Sequence, residues 1–199
     1  MDVKVLIIDN FDSFTYNLVQ LVKESKLCTF DVVQTDQLSI EIPSEYDGII
    51  ISPGPGVPSD TPVLDRIIRY YEKEKSILGI CLGHQAITES YGGQLNNMQN
   101  VFHGVKHKIF VTDKSDYLFK NVPEIFFVGL YHSWESESHS FPDTLKITAI
   151  SDNQIIMALS HKKYDIKGVQ FHPESYMTEF GRLIITNWLE NLALKKAVG

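Results

Sequence analysis

Four short β-rich runs, three with turn or helix-start residues directly after them, constrain this chain most. Val3-Lys4-Val5-Leu6-Ile7-Ile8-Asp9, Phe30 to Gln34, Asp47-Gly48-Ile49-Ile50-Ile51-Ser52 and Ser76 to Ile80 are strand-sized. The first is almost unbroken apolar after Lys4, and the third is as continuous. Such runs suit strands buried on both faces. Helical patterns lie between them. Ser13 to Ser25 carries Phe14, Leu18, Leu21 and Val22 at helical spacing, with Asp12 or Ser13 as cap. Thr61-Pro62 reads as a helix start, followed by a stripe of Leu64, Ile67, Ile68 and Tyr71. His84 to Tyr91 reads as a short helix stopped by Gly92-Gly93. Strand alternating with helix predicts a parallel sheet covered on both faces.

The second half changes character. Lys106 to Thr112, Phe126 to Tyr131, Leu145 to Ser151, Ile155 to Ser160 and Lys167 to Phe171 read as strands. Asp152-Asn153 serves as a hairpin turn, and Thr178 to Leu194 as a final helix with Leu183, Ile184, Trp188 and Leu192 on one face. With no repeat, linker or low-complexity segment, the expectation is one domain over residues 1–199. Its fold class is α/β: an open, mostly parallel sheet flanked by helices, with an added antiparallel section. The net charge of −7 argues against nucleic acid or an anionic membrane as partner. Met1-Asp2-Val3-Lys4 leads straight into a strand without a signal-peptide plan, and no apolar run is long enough to span a membrane. Cytoplasm with free thiols is therefore expected for Cys28 and Cys81.

The chemistry concentrates at strand ends. In Gly79-Ile80-Cys81-Leu82-Gly83-His84-Gln85, a cysteine sits between a strand and a helix pattern, the layout of a nucleophile elbow. A thiol attacks as thiolate, and a helix start with free amides favours negative charge there. The glycines permit the tight turn. By itself the segment fits a buried structural cysteine equally well. His172-Pro173-Glu174, after another strand, adds a base and an orienting carboxylate. Together they point to an acyl-transfer triad of Cys81, His172 and Glu174. Ser52-Pro53-Gly54-Pro55-Gly56 follows a third strand. It reads as a plain turn, as a set of amides for an oxyanion, or as a phosphate cradle. No Gly-Lys-Ser/Thr follows it, which argues against a nucleotide loop. His103 and His107 lack a third ligand by spacing, so no metal is expected.

Three segments in this order and spacing resemble the class I, triad-type glutamine amidotransferases over nearly the whole chain. They are Ser52 to Gly56, Gly79 to Gln85 and Gly168-Val169-Gln170-Phe171-His172-Pro173-Glu174. Ile8-Asp9-Asn10-Phe11-Asp12-Ser13-Phe14 and Tyr131-His132-Ser133 resemble component II of anthranilate synthase and of aminodeoxychorismate synthase. The resemblance implies attack of Cys81 on the side-chain amide of L-glutamine, with His172 moving protons and Glu174 orienting His172. It implies an oxyanion hole from the amides of Gly54 and Leu82. Glutamine would be held by Gly54, Pro55, Gly56, Gln85, Ser133 and Trp134. No cofactor is implied. The partner would be a separate chorismate-using synthase subunit, component I, that receives the ammonia. A glutaminase subunit of another amidotransferase, such as GMP synthase, a stand-alone γ-glutamyl hydrolase, or a non-catalytic regulatory subunit are the alternatives. Leu130, Trp134 and Val105 depart from the family pattern, where arginine, leucine and lysine are common.

Overall fold

A computed structural model describes residues 3–98 and 102–198. Met1 and Asp2, the first two residues of the segment from which no signal peptide is expected, lie outside them. A nine-stranded sheet organises the molecule. Its strands are β1 (Val3–Asp9), β2 (Cys28–Gln34), β3 (Gly48–Ile51), β4 (Ser76–Ile80), β6 (Val105–Val111), β7 (Ile125–Leu130), β9 (Leu145–Ser151), β10 (Ile156–His161) and β11 (Ile166–Val169). The order is β2-β1-β3-β4-β11-β10-β9-β6-β7. The first five of that order run parallel, and β10, β9, β6 and β7 continue the same sheet antiparallel. A separate pair joins β5 (Leu95–Asn97) to β8 (Trp134–Ser136).

Strand β1 shows why its sequence is continuously apolar. Val3, Val5 and Ile7 enter one core, whereas Leu6 and Ile8 enter the other. Helices α1 (Thr15–Ser25) and α4 (Gly181–Val198) close the first face, through Leu18, Val22, Ile184, Trp188 and Leu192. Helices α2 (Pro62–Tyr71) and α3 (Leu82–Ser90) close the second, through Leu64, Ile67, Ile68, Ala86 and Ile87. All four residues of the expected α2 stripe are buried. Leu183, expected on the buried face of α4, is only half-buried, and Ile185 and Leu189 are buried with Trp188 instead.

Several boundaries differ from the sequence reading. Helix α3 starts at Leu82 rather than His84, directly after Cys81. Helix α4 starts at Gly181 because the preceding segment is spent on the sheet edge. Thr178 accepts from Gly129 N–H, and the Glu179 carboxylate accepts from Phe127 N–H. At α1, the Asp12 carboxylate accepts from the amide of Phe14 at 2.7 Å, one residue before the helix. No helix among the described residues is long and apolar enough to cross a membrane.

Strands β1, β3, β4 and β11 are parallel and adjacent, so their carboxyl ends share one edge. The loops leaving that edge begin at Asn10, Ser52, Cys81 and Gln170. Open α/β sheets bind ligands there. The first two loops are tied together: Asn10 N–H donates to Ser52 Oγ at 3.0 Å, and Asn10 Nδ2 donates to Ser52 O at 3.0 Å. Thr35 Oγ1 donates to Asn10 Oδ1 at 2.7 Å. All three residues are buried, so leaving any one of these partners unpaired costs about 1–3 kcal/mol.

Candidate active site

Cys81 has φ 51° and ψ −100°, an uncommon conformation for a residue with a Cβ. Such backbone strain costs about 1–3 kcal/mol and persists where surrounding bonds enforce it. Here Cys81 N–H donates to Val169 O at 2.8 Å, and Cys81 O accepts from Gln85 N–H at 3.1 Å. The glycines explain the rest. A Cβ on Gly79 would overlap the carbonyl of Gly83, and one on Gly83 would sit 2.6 Å from Ile51 O. The helix therefore begins against the strand, with Cys81 at its amino end.

His172 and Glu174 are held by the loop after β11. His172 N–H donates to Gly129 O, and Thr178 Oγ1 donates to His172 O at 2.5 Å. His172 Nδ1 lies 2.7 Å from Glu174 Oε1, and both residues are buried. An acceptor-only carboxylate at Nδ1 places the proton on that nitrogen and leaves Nε2 for chemistry. His172 Nε2 is buried without a hydrogen-bond partner of normal geometry. Burial opposes charge on this imidazole. The Cys81 sulfur and the Glu174 carboxylate outweigh it and hold the His172 pKa well above its ordinary value. Phe14 and Tyr131 pack on the ring at centroid distances of 5.2 and 4.9 Å.

The oxyanion candidates are neighbours. A Cβ on Gly54 would lie 2.6 Å from both Leu82 Cδ2 and Asn10 Cβ. Leu82 is the first residue of α3, whose leading amides have no partner within the helix. Pro55 and Gly56 are exposed and line a cavity of about 320 Å³ with Asn10, Phe11, Thr35, Asp60, Thr61 and Leu82. Gly56 has φ +75°, which suits glycine. Ser133 O accepts from Met98 N–H at 2.8 Å, whereas Trp134 is linked toward Cys81 through Gln85. Its Nε2 donates to Trp134 O at 2.8 Å and to Gln170 Oε1 at 3.2 Å. The Gln85 carboxamide is thus engaged with protein groups and is itself buried.

Sequence reasoning missed several participants. Gln170 Nε2 lies 3.6 Å from Cys81 Sγ, and the side chain is fully buried. Two further histidines are buried as neutral groups. Burial pushes His84 down to about 3 and His132 down to about 4. His84 Nε2 sits 3.2 Å from Ser136 Oγ, and His132 Nδ1 sits 2.8 Å from Trp134 O. Nothing in the spacing of these residues marks them. Only the pairing of β5 with β8, invisible in such short polar strands, brings Ser136 and Trp134 to α3. Val105 and Leu130, two departures from the family pattern, stand opposite each other in the β6–β7 register. His107 Nε2 lies 2.7 Å from Asp152, and His103 packs edge-on against Tyr131. Among the described residues no group of three or more histidine, cysteine or carboxylate side chains converges on a metal position.

Comparison with known proteins gives the family. Residues 6–192 match the family model of glutamine amidotransferase class-I. A Haemophilus influenzae protein named "Putative anthranilate synthase component II" is 47% identical over 186 residues, covering 94% of this chain and 95% of that protein. Anthranilate synthase component 2 of Pyropia yezoensis is 42% identical over 191 residues, covering 94% of this chain and 98% of that one. The fold is shared with a crystal structure described as a "putative gmp synthase subunit a protein" from Thermoplasma acidophilum. That match has a TM-score of 0.88 and 24% identity, and covers 100% of this chain and 98% of the other. Fold, elbow and sequence likeness converge: the chain belongs to the class-I glutamine amidotransferases.

Proposed function

We propose that residues 1–199 act as one amidotransferase unit, the glutaminase component of an anthranilate-forming synthase. The observation that carries this reading is the strained Cys81 elbow beside a buried His172 whose other nitrogen is held by Glu174 at 2.7 Å. The relatives named for anthranilate synthase component II support the choice of synthase.

In this reading the Cys81 thiolate attacks the side-chain amide carbon of L-glutamine. The amides of Gly54 and Leu82 receive the developing oxyanion, where a fixed donor is worth about 10²–10³-fold in rate. Gly54, Pro55, Gly56, Gln85, Ser133 and Trp134 form the walls that hold the substrate. His172 delivers its Nε2 proton to the departing ammonia, and a glutamyl thioester remains on Cys81. Water then gives a proton back to Nε2 as its oxygen attacks the thioester, and glutamate leaves. Ammonia passes to a separate component I, which uses it to aminate chorismate. Two free cysteines accord with a reducing cytoplasm.

The test is reconstitution with a component I and chorismate. Glutamine-dependent anthranilate formation is expected. Aminodeoxychorismate as the product would assign the subunit to the other chorismate-aminating synthase. Absence of both, with the complex assembled and ammonium salts supporting the reaction, would overturn the reading.

A further inference from the structure

Resting on the amidotransferase reading above, we propose that Gln170 is a further catalytic residue. Its carboxamide N–H holds the Cys81 sulfur in its charged form, and a one-way relay from the Trp134 carbonyl through Gln85 aims it. The direction of the relay follows from hydrogen-bond chemistry alone. A main-chain carbonyl only accepts. Trp134 O lies 2.8 Å from the Gln85 carboxamide, so Gln85 must present its nitrogen there. The same nitrogen lies 3.2 Å from the Gln170 carboxamide, which must therefore present its oxygen. That leaves the Gln170 nitrogen facing Cys81 Sγ at 3.6 Å. Reversing any member would set two donors, or two acceptors, against each other.

The relay is dry and braced. Gln170 is 0% and Gln85 3% exposed, so water does not substitute for either contact. Trp134 O also accepts from His132 Nδ1 at 2.8 Å, which fixes the carbonyl from a second side. Gln170 N–H donates to Met157 O at 2.9 Å, which anchors its backbone to β10. The pairing of β8 with β5 holds Trp134. The nucleophile is thereby linked to the strand proposed to hold glutamine.

Hydrogen bonds to ionised groups are roughly twice as strong as neutral ones. The sulfur carries charge before attack and again when the thioester breaks. In that second step water oxygen bonds to the acyl carbon, its proton goes to His172 Nε2, and the C–S electron pair returns to sulfur. The Gln170 N–H receives that charge. The titratable groups around this cluster are His172, Glu174, Tyr131 packed on the His172 ring, the buried His132 whose pKa His172 helps to lower, and His84 on α3. Asp9, at the end of β1, is engaged by Thr15 Oγ1 and Phe11 N–H.

The experiment is the pH profile of Cys81 alkylation by iodoacetamide, read by peptide mass mapping, for the parent and for Gln170→Met and Gln170→Glu. Both replacements keep the length of the side chain, and either one that folds decides the matter. Gln170→Met is expected to move the profile toward alkaline pH by about one unit, the size of one lost bond to a charged group. Gln170→Glu is expected to move it further, because a carboxylate repels the thiolate. Gln85→Leu should move it in the same direction by less, since Gln170 is then free to turn. With component I, the Gln170 variants are expected to lose kcat about tenfold, with KM nearly unchanged. Superimposable profiles for parent and folded Gln170 variants would overturn the proposal. Alkylation does not require turnover. A shifted profile in a chain that never hydrolyses glutamine would count against the functional reading and leave the relay standing. An active parent with unshifted variants would do the opposite.

Discussion

Cys81 N–H donates to Val169 O at 2.8 Å, so the proposed nucleophile is bonded to the strand whose following loop carries His172, the proposed base. The bond spans the register of β4 against β11, which pairs Ile80 with Val169. The sheet therefore sets the spacing between Cys81 and His172, and the side chains inherit it. Changes that disturb this edge should lower activity before they unfold the protein.

His172→Ala should cost more than Glu174→Ala. In the proposed reaction His172 moves protons in both half-reactions, and general acid–base catalysis contributes about 10²–10⁴-fold. Glu174 fixes the tautomer and supports the charge. Measuring kcat for both variants in the assembled complex checks the order, and a larger loss from Glu174→Ala would reverse the assigned roles.

The histidines set opposite limbs of a stability profile. His172 has its folded pKa raised, so it keeps a proton that the unfolded chain loses. Its stabilisation is complete below about 6.5, the ordinary histidine value, and is lost as pH rises through the folded pKa. His84 and His132 are depressed to about 3 and about 4. Their contribution is complete above about 6.5 and is lost as pH falls toward those values. Urea melts across pH should peak near neutrality. Cys81→Ala should lower the folded His172 pKa by removing the sulfur, so the alkaline decline should still begin near about 6.5 but end earlier and be smaller. An unchanged alkaline limb in that variant would contradict the coupling.

Gly181→Ala and Gly79→Ala should both destabilise by about 1–3 kcal/mol or somewhat more, the usual cost of overpacking. At Gly181 the added methyl would overlap the carbonyl of Pro173, between His172 and Glu174. That variant should therefore lose activity at temperatures where it is still folded. At Gly92 nothing lies within 4 Å of the added methyl, although φ is +90°. Gly92→Ala should show backbone strain in its melting point and leave kcat alone.

The parallel half of the fold was legible because its strands are buried on both faces. Ile49, Ile50 and Ile51 needed no context to read as a core strand. The candidate triad could be proposed from sequence because Gly-x-Cys-x-Gly and His-Pro-Glu each stand after a strand. The start of α3 was not. Gly83 resembles a turn residue, and only its packing against Ile51 O shows that it is the second residue of a helix. The β5–β8 pair was missed because Leu95-Asn96-Asn97 and Trp134-Glu135-Ser136 are short, polar and far apart in sequence. Gln170 sat in plain view within a quoted motif. Its contact with sulfur depends on the β11 register and on Gln85, neither of which a linear pattern records.

The central claim is that Cys81 forms the glutamyl thioester, and a glutamine analogue with an electrophilic side-chain carbon tests it most directly. Cys28 is the internal control, since burial pushes its thiol up to about 11. Peptide mass mapping after partial reaction should place one adduct on Cys81, leave Cys28 free, and show glutamine-dependent activity falling in step with the adduct. Ammonium-dependent synthesis by the complex should persist. Full labelling of Cys81 with glutamine-dependent activity intact, or loss of activity with the adduct on Cys28 alone, would contradict the account.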